Sequence, residues 1–123
     1  MVNWNAVKKW RDALRSGKYK QTKNYLKTTE GHCCLGVLCE IQGLKGKKLK
    51  NQTGYEFNGC SGTLPVKVAK KIGFVNIDGD AVIDPKIFNE HFSYINDKQT
   101  DPLNFDEIAD LLDIAILERE GIT

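Results

Sequence analysis

The sequence predicts a single α+β domain spanning residues 1–123. Two observations carry this prediction. Both ends of the chain show the apolar periodicity of an amphipathic helix, and the residues between them form short β-prone runs separated by turn residues. A chain of 123 residues can bury one core of useful size. We therefore expect an N-terminal helix, a small antiparallel sheet with short helices, and a C-terminal helix.

The first helix is predicted to begin after Asn3, a residue type whose side-chain oxygen caps helix N-termini. It should end at Ser16-Gly17, because glycine is a common C-terminal stop and Arg15 suits the negative end of the helix dipole. Apolar residues recur at three- and four-residue spacing between these limits, at Trp4, Val7, Trp10 and Leu14.

The next segment favours a β-hairpin. Residues 18–29 alternate loosely between polar and aromatic types, as in a strand with one solvated face, and Thr29-Glu30-Gly31 supplies turn chemistry. The second arm would run through residues 32–34. The apolar run 35–41 fits either a buried strand or a short buried helix, and we favour a helix closed by Gly43.

The middle of the chain is rich in turn residues. Residues 44–62 predict one or two short strands with exposed loops, and we interpret the lysines at 45, 47, 48 and 50 as solubilising a mobile loop. Leu64-Pro65 should open a short helix that stops at Gly73. Asp78-Gly79, between two β-prone runs, predicts a further hairpin.

The last helix has the best-defined start. Asn104 and Glu107 have the Asn-x-x-Glu spacing of a capping box, in which each side chain bonds the backbone N–H of the other residue. The apolar residues that follow recur at helical spacing, at Ile108, Leu111, Leu112, Ala115 and Ile116.

The net charge of +2 conceals two oppositely charged halves. Residues 1–71 hold 15 Lys and Arg against 4 Asp and Glu, whereas residues 72–123 hold 3 against 12. A basic segment of this kind can attract a phosphate-bearing ligand or nucleic acid. It can equally lie against the acidic half of its own or a neighbouring subunit, and both interpretations stay open.

Motifs for common enzyme classes are absent. No GxGxxG, GxxxxGK[ST], HExxH or GxSxG string occurs, so we expect no catalytic residues, no cofactor and a non-enzymatic protein. The four cysteines, Cys33, Cys34, Cys39 and Cys60, lack the repeated pairing of a zinc site. We expect them to be reduced core residues, with metal binding and a reactive thiol as alternatives.

Candidate ligand-binding residues cluster around the end of the first helix. The cluster combines cations, an amide and a phenol, as a site for a phosphorylated ligand that carries a base requires. The alternative is a solvated basic face. The candidate residues are Arg11, Arg15, Lys18, Tyr19, Lys20 and Gln21, with Lys23 close by.

Two strings carry a family resemblance. Residues 10–21 (WRDALRSGKYKQ) and 33–40 (CCLGVLCE) resemble a family of small proteins encoded by phages and prophages. Leu64-Pro65, Ile95-Asn96-Asp97, and Phe105 with residues 107–110 extend the similarity over most of the chain.

The resemblance implies a function by analogy. Small phage proteins of this size include anti-defence sponges, similar to the Thoeris anti-defence and anti-CBASS proteins, which sequester cyclic nucleotide signals without destroying them. It implies a homo-oligomer that binds a small anionic nucleotide-type ligand, with Asn96 and Asp97 added to the site. The alternatives are a small nucleic-acid-binding regulator and a protein that inhibits a host enzyme by contact.

The expected location is the host cytoplasm. No apolar run approaches the roughly 18 residues that a membrane-spanning helix needs. The polar, tryptophan-containing start of the chain also lacks the apolar stretch of a signal peptide. We therefore expect no membrane partner.

Overall fold

The computed structural model of the protein describes residues 3–50, 53–62, 64–72, 92–99 and 101–119. Its mixed α+β architecture confirms the predicted fold class. The elements of this part of the chain are, in order, α1 (Trp4–Arg15), β1 (Lys27–Thr28), β2 (Gly31–His32), α2 (Cys34–Ile41), β3 (Lys47–Lys48), β4 (Gly54–Glu56), α3 (Val66–Ile72), α4 (Phe92–Asp97) and α5 (Phe105–Arg119).

The four strands form one antiparallel sheet in the order β2-β1-β4-β3. Lys27 pairs with His32 on one side and with Tyr55 on the other, and Tyr55 pairs in turn with Lys48. Residues paired in this way project to the same face of a sheet. His32, Lys27, Tyr55 and Lys48 therefore form one row across it.

Helix α1 lies at the centre of the helical packing and contacts α5, α2 and α3. Its Trp10 is fully buried, and the indole Nε1–H donates a 2.8 Å hydrogen bond to the carbonyl oxygen of Cys34 at the start of α2. The indole thus fills the core without leaving its N–H unsatisfied. The buried apolar residues of α1, α2 and α5 form one continuous core cluster.

Glycine is required where α2 meets the chain segment before β1. A Cβ built on Gly36 would collide with the backbone carbonyl of Leu26. That same carbonyl oxygen accepts a 3.0 Å hydrogen bond from the backbone N–H of Cys33. Gly36 therefore lets α2 pack directly on the backbone of residue 26.

The helix boundaries confirm several predictions. Asn3 caps α1 by accepting a 3.1 Å hydrogen bond from the backbone N–H of Ala6. The capping box of α5 forms in both directions, with distances of 3.0 Å and 2.8 Å between Asn104 and Glu107. Gly43, predicted to close α2, has a positive φ of 85° just after it.

Other predictions need correction or concern residues outside the described part of the chain. Only Lys27–Thr28 of the predicted strand 18–29 forms a strand, and Lys47–Lys48 forms a strand where a mobile loop was expected. Helix α4 was not predicted. Gly73 and the Asp78-Gly79 hairpin lie outside the described residues.

Candidate functional site

Three of the predicted ligand-binding residues line one shallow cleft at the C-terminal end of α1. Arg15, Tyr19 and Gln21 face this α1-end cleft, which has a volume of about 320 Å³ and is closed on its far side by the start of α5. The structure thus brings these three of the predicted residues together, and their role in ligand binding stays a prediction. The described lining consists of Leu14, Arg15, Gly17, Tyr19, Gln21, Asn104, Phe105 and Asp106.

Asn96, another predicted ligand-binding residue, is fully buried beside this cleft. Its Oδ1 accepts hydrogen bonds from Gln21 Nε2 at 2.9 Å and from the Cys34 backbone N–H at 3.0 Å. Its Nδ2 donates to the Thr22 carbonyl oxygen at 2.9 Å and to Asp97 Oδ1 at 2.6 Å. Both ends of the amide are thus satisfied within the protein, and the side chain ties three segments together.

Gln21 is likewise occupied by internal contacts. Its Nε2 donates to Asn96 Oδ1 and also to the carbonyl oxygen of Leu103, the latter at 2.8 Å. Because a side-chain amide nitrogen has two N–H groups, both are in use. Gln21 therefore fixes the shape of the α1-end cleft and offers it only the acceptor end of the amide.

The two predicted arginines form ion pairs with α5. Arg11 Nη1 lies 2.9 Å from Asp113 Oδ1, and Arg15 Nη2 lies 2.5 Å from both Asp110 Oδ1 and Asp113 Oδ2. Partial burial alone would raise the pKa of Asp113, but hydrogen bonds from both guanidinium groups outweigh it and lower that pKa. The basic first half of the chain is here neutralised by the acidic second half.

The remaining predicted cations lie outside the α1-end cleft. Lys18 and Lys20 are exposed on the segment that follows α1. Lys23 Nζ lies 3.4 Å from the carbonyl oxygen of Lys98. The structure therefore divides the predicted cluster: part lines the cleft, part is ion-paired, and part is solvated.

The cysteines meet the expectation of core residues. Cys33, Cys34 and Cys39 are buried, and Cys60 is partly exposed. Burial raises the pKa of the Cys33 and Cys39 thiols to about 12 and raises that of Cys34 as well. A nucleophilic cysteine needs a lowered pKa. No group of three or more metal-ligand residues occurs in the described part of the chain.

His32, in strand β2, is held against a carboxylate of helix α2. Its Nε2 lies 3.2 Å from Glu40 Oε2. The Tyr19 ring packs edge to face against the imidazole, with 5.2 Å between the ring centroids. Burial lowers the pKa of His32 although the Glu40 contact opposes that shift. An imidazole oriented by a carboxylate resembles part of a catalytic set, but a nucleophile is also required. The described side-chain contacts of His32 supply none.

A second cleft, larger than the α1-end cleft, lies between α3 and the segment that follows α2. This lysine cleft has a volume of about 430 Å³ and brings together residues that are distant in sequence. Sequence interpretation missed it. Its described lining consists of Gln42, Gly43, Leu44, Lys45, Asn58, Lys67, Val68 and Lys71.

Local sequence explains how the lysine cleft is built. Lys67 and Lys71 are four residues apart on α3, so both project from one face of that helix, while Val68 is buried beside them. Asn58 enters the cleft from a tight turn in which Asn58 and Gly59 both have positive φ, 52° and 85°. Asn-Gly is the preferred pair for such turns, and this signal was overlooked in the sequence.

The cleft concentrates positive charge. Its described lining includes three lysines and no carboxylate, and the ion pairs of the described residues use other cations. Lys71 lies in the last turn of α3, where the helix dipole carries about half a negative charge, whereas Lys67 lies in the first turn, at the positive end. The helix dipoles therefore offset only a small part of the charge of the three ammonium groups.

The fold and these sites define a class of protein: a small α+β domain whose described residues form an internally neutralised polar cleft at the end of α1 and a cationic cleft beside α3. The chain belongs to the family described as "Domain of unknown function (DUF8296)", which matches residues 2–116. No curated protein and no solved structure matches the chain. None of the described helices is long and apolar enough to cross a membrane.

Proposed function

We propose that the protein captures a small nucleotide-type anion without transforming it, and that the lysine cleft holds the ligand. The observation that carries the proposal is the set of three lysines in one concave site whose described lining includes no carboxylate. Phosphate oxygens are the natural counter-charges for such a group. The volume, about 430 Å³, lies in the range of small-molecule sites.

Electrostatics favours the lysine cleft over the α1-end cleft as the proposed site. Arg15 is already paired with two carboxylates, and Asp106 also lines that cleft. An anion arriving there would have to displace those carboxylates from the guanidinium group and would meet their repulsion. The described lining of the lysine cleft includes no carboxylate, so an anion that binds there displaces none from a cation and meets no such repulsion.

The biological side of the proposal rests on the family resemblance. A protein that binds a nucleotide signal and leaves it intact lowers the free concentration of that signal, which is how an anti-defence sponge would act. Assembly into an oligomer belongs to the same proposal. Ile114 and Leu117, each 44% exposed on α5, are described apolar side chains that a second copy could cover.

The first test is native mass spectrometry of the protein purified from cells with an active nucleotide-signalling defence system. We expect an added mass equal to one nucleotide-type ligand for each cleft. A Lys67→Ala, Lys71→Ala variant should lose that mass, whereas Lys18→Ala, Lys20→Ala, which removes equal charge from an exposed segment, should keep it.

Two outcomes would overturn the proposal. One is a protein free of ligand when controls show that known signals survive the purification. The other is ligand retained by the Lys67→Ala, Lys71→Ala variant but lost from Arg15→Ala, Lys18→Ala, which would return the site to the end of α1.

A second candidate function, nucleic-acid binding, is favoured by the row of side chains across the sheet. This row alternates cations with rings: Lys48, Tyr55, Lys27 and His32. Sheet faces that bind single strands combine aromatic stacking with basic side chains. Here, however, Lys27 Nζ already covers the Tyr55 ring, 4.7 Å from its centroid. Binding of an oligonucleotide with a steep salt dependence would support this function over capture of a small ligand.

A further inference from the structure

The chemistry of the lysine cleft narrows the class of ligand, and this step rests on the proposed function. The donors of its described lining are three ammonium groups and the side-chain amides of Gln42 and Asn58. Lysine recognises phosphate as a compact point charge and makes no planar, two-point contact of the kind that arginine makes. The cleft thus offers several independent cations to several anionic oxygens.

Base recognition has little support in the same lining. Proteins commonly hold a nucleobase by stacking it on an aromatic ring or an arginine plane. The described residues of the lysine cleft include neither group, and their apolar members are Leu44 and Val68. Two described tyrosines, Tyr19 and Tyr55, contact His32 and Lys27 on the sheet and do not line this cleft.

The charge balance points to adjacent phosphates. Three ammonium groups in one cleft match a ligand group that carries two or more negative charges close together. Phosphodiesters carry one charge each, and a cyclic nucleotide spaces them along a ring. A linear chain of phosphates places its charges within reach of ammonium groups on two elements, α3 and the segment after α2.

We infer that the lysine cleft recognises a chain of two or more adjacent phosphate groups and is indifferent to the base attached to it. The ligand class is therefore a polyphosphate ester, such as a nucleoside polyphosphate, bound through its phosphates with the nucleoside directed outward. Lys67 and Lys71 hold one side of the chain from α3, and Lys45 holds the other side.

Isothermal titration of the full-length protein tests this inference with four kinds of probe: pyrophosphate, the four common nucleoside triphosphates, a cyclic mononucleotide and an uncharged nucleoside. We expect the triphosphates to agree in Kd within about threefold, because no stacking contact distinguishes their bases. Pyrophosphate should bind, the nucleoside should not, and the cyclic mononucleotide should bind at least about tenfold more weakly than a triphosphate, in line with its lower charge.

Two double variants distinguish binding in the lysine cleft from non-specific attraction to exposed positive charge. Lys67→Ala, Lys71→Ala should weaken pyrophosphate binding by at least about tenfold, since a hydrogen bond to a charged group is worth about one such factor or more. Lys18→Ala, Lys20→Ala should change it by less than about threefold, because exposed charges are screened. Equal losses in the two variants would overturn the inference in favour of non-specific attraction.

Failure of the inference differs from failure of the proposed function. If one triphosphate binds more tightly than the other three, or if the cyclic nucleotide binds more tightly than the triphosphates, the phosphate-chain inference is wrong. Capture of a nucleotide-type anion then still stands. If none of the phosphate-bearing probes binds, both are wrong.

Discussion

The α1-end cleft and the lysine cleft use positive charge in opposite ways. At the α1-end cleft, Arg15 is neutralised by carboxylates of α5, and the amide of the neighbouring Gln21 bonds to internal acceptors. At the lysine cleft, three cations line a cavity without a described carboxylate among them. In the sequence both regions belong to the same basic half, and the arginine-containing region looks the more promising.

The difference shows that a count of charges in the sequence predicts attraction for an anion. It does not predict which of the cations are already paired with carboxylates of the same protein. Charges near each other in the fold neutralise each other first, and a site for an external ligand remains only where the fold provides no internal partner. Here the acidic α5 lies against α1 and occupies its arginines. The lysines at the end of α2 and on α3 have no described carboxylate in their cleft.

The largest expected effect concerns the internal bonds beside the α1-end cleft. Asn96→Ala should lower the free energy of unfolding by about 3 kcal/mol, because it leaves several buried donors and acceptors without partners. Gln42→Ala, a change of side-chain amide in the lysine cleft, should cost less than about 0.5 kcal/mol, as expected for a partly exposed position. Urea denaturation of both variants measures the difference, and similar losses would contradict the contrast between the clefts.

A smaller effect is expected from the ion pairs. Arg11→Ala, Arg15→Ala should cost about 1 kcal/mol at neutral pH, a modest value because Arg15 and Asp110 are substantially exposed and screened by solvent. The guanidinium groups lower the pKa of Asp113 below its ordinary value of 3.8. The stabilisation is therefore present above that pH and is lost as Asp113 is protonated at lower pH.

The pH dependence supplies the control for this pair. Denaturation curves should show a gap of about 1 kcal/mol between wild type and the double variant at pH 7 and a smaller gap at pH 3. A gap that stays constant between these pH values would mean that the arginines act through packing of their aliphatic stems and not through ion pairing.

Much of the fold could be predicted from the sequence because local signals decide it. Caps at Asn3 and Asn104 and a glycine stop at Gly43 act within a few residues, and the structure has each of them. The strands were less predictable, since two-residue strands such as β1 and β2 depend on partners supplied by the rest of the fold. Helix α4 has no cap signal that we recognised.

The candidate site was harder to predict than the fold. The four-residue spacing of Lys67 and Lys71 does show in the sequence that both lie on one face of a helix. It cannot show that Lys45 and Asn58 approach the same face from other elements. The ligand-binding role that the resemblance implies for Asn96 stays a prediction, and all the described hydrogen bonds of its side chain go to other residues of the protein.

The smallest expected effect has the opposite sign. Lys67→Ala, Lys71→Ala should raise the free energy of unfolding by about 0.2 to 0.5 kcal/mol without ligand, because like charges four residues apart on a helix repel. Thermal denaturation at low ionic strength should show a slightly higher Tm than wild type. A lower Tm would mean that these lysines have structural partners.

The most direct test of the account is the change in Tm caused by pyrophosphate in wild type and in two double variants. A ligand that binds only the folded state raises Tm, and the rise grows with the logarithm of the ratio of its concentration to its Kd. We predict a clear rise for wild type, an equal rise for Arg11→Ala, Arg15→Ala, and little or none for Lys67→Ala, Lys71→Ala. A rise that survives loss of the lysines and disappears with the arginines would contradict the account and place the anion site at the end of α1.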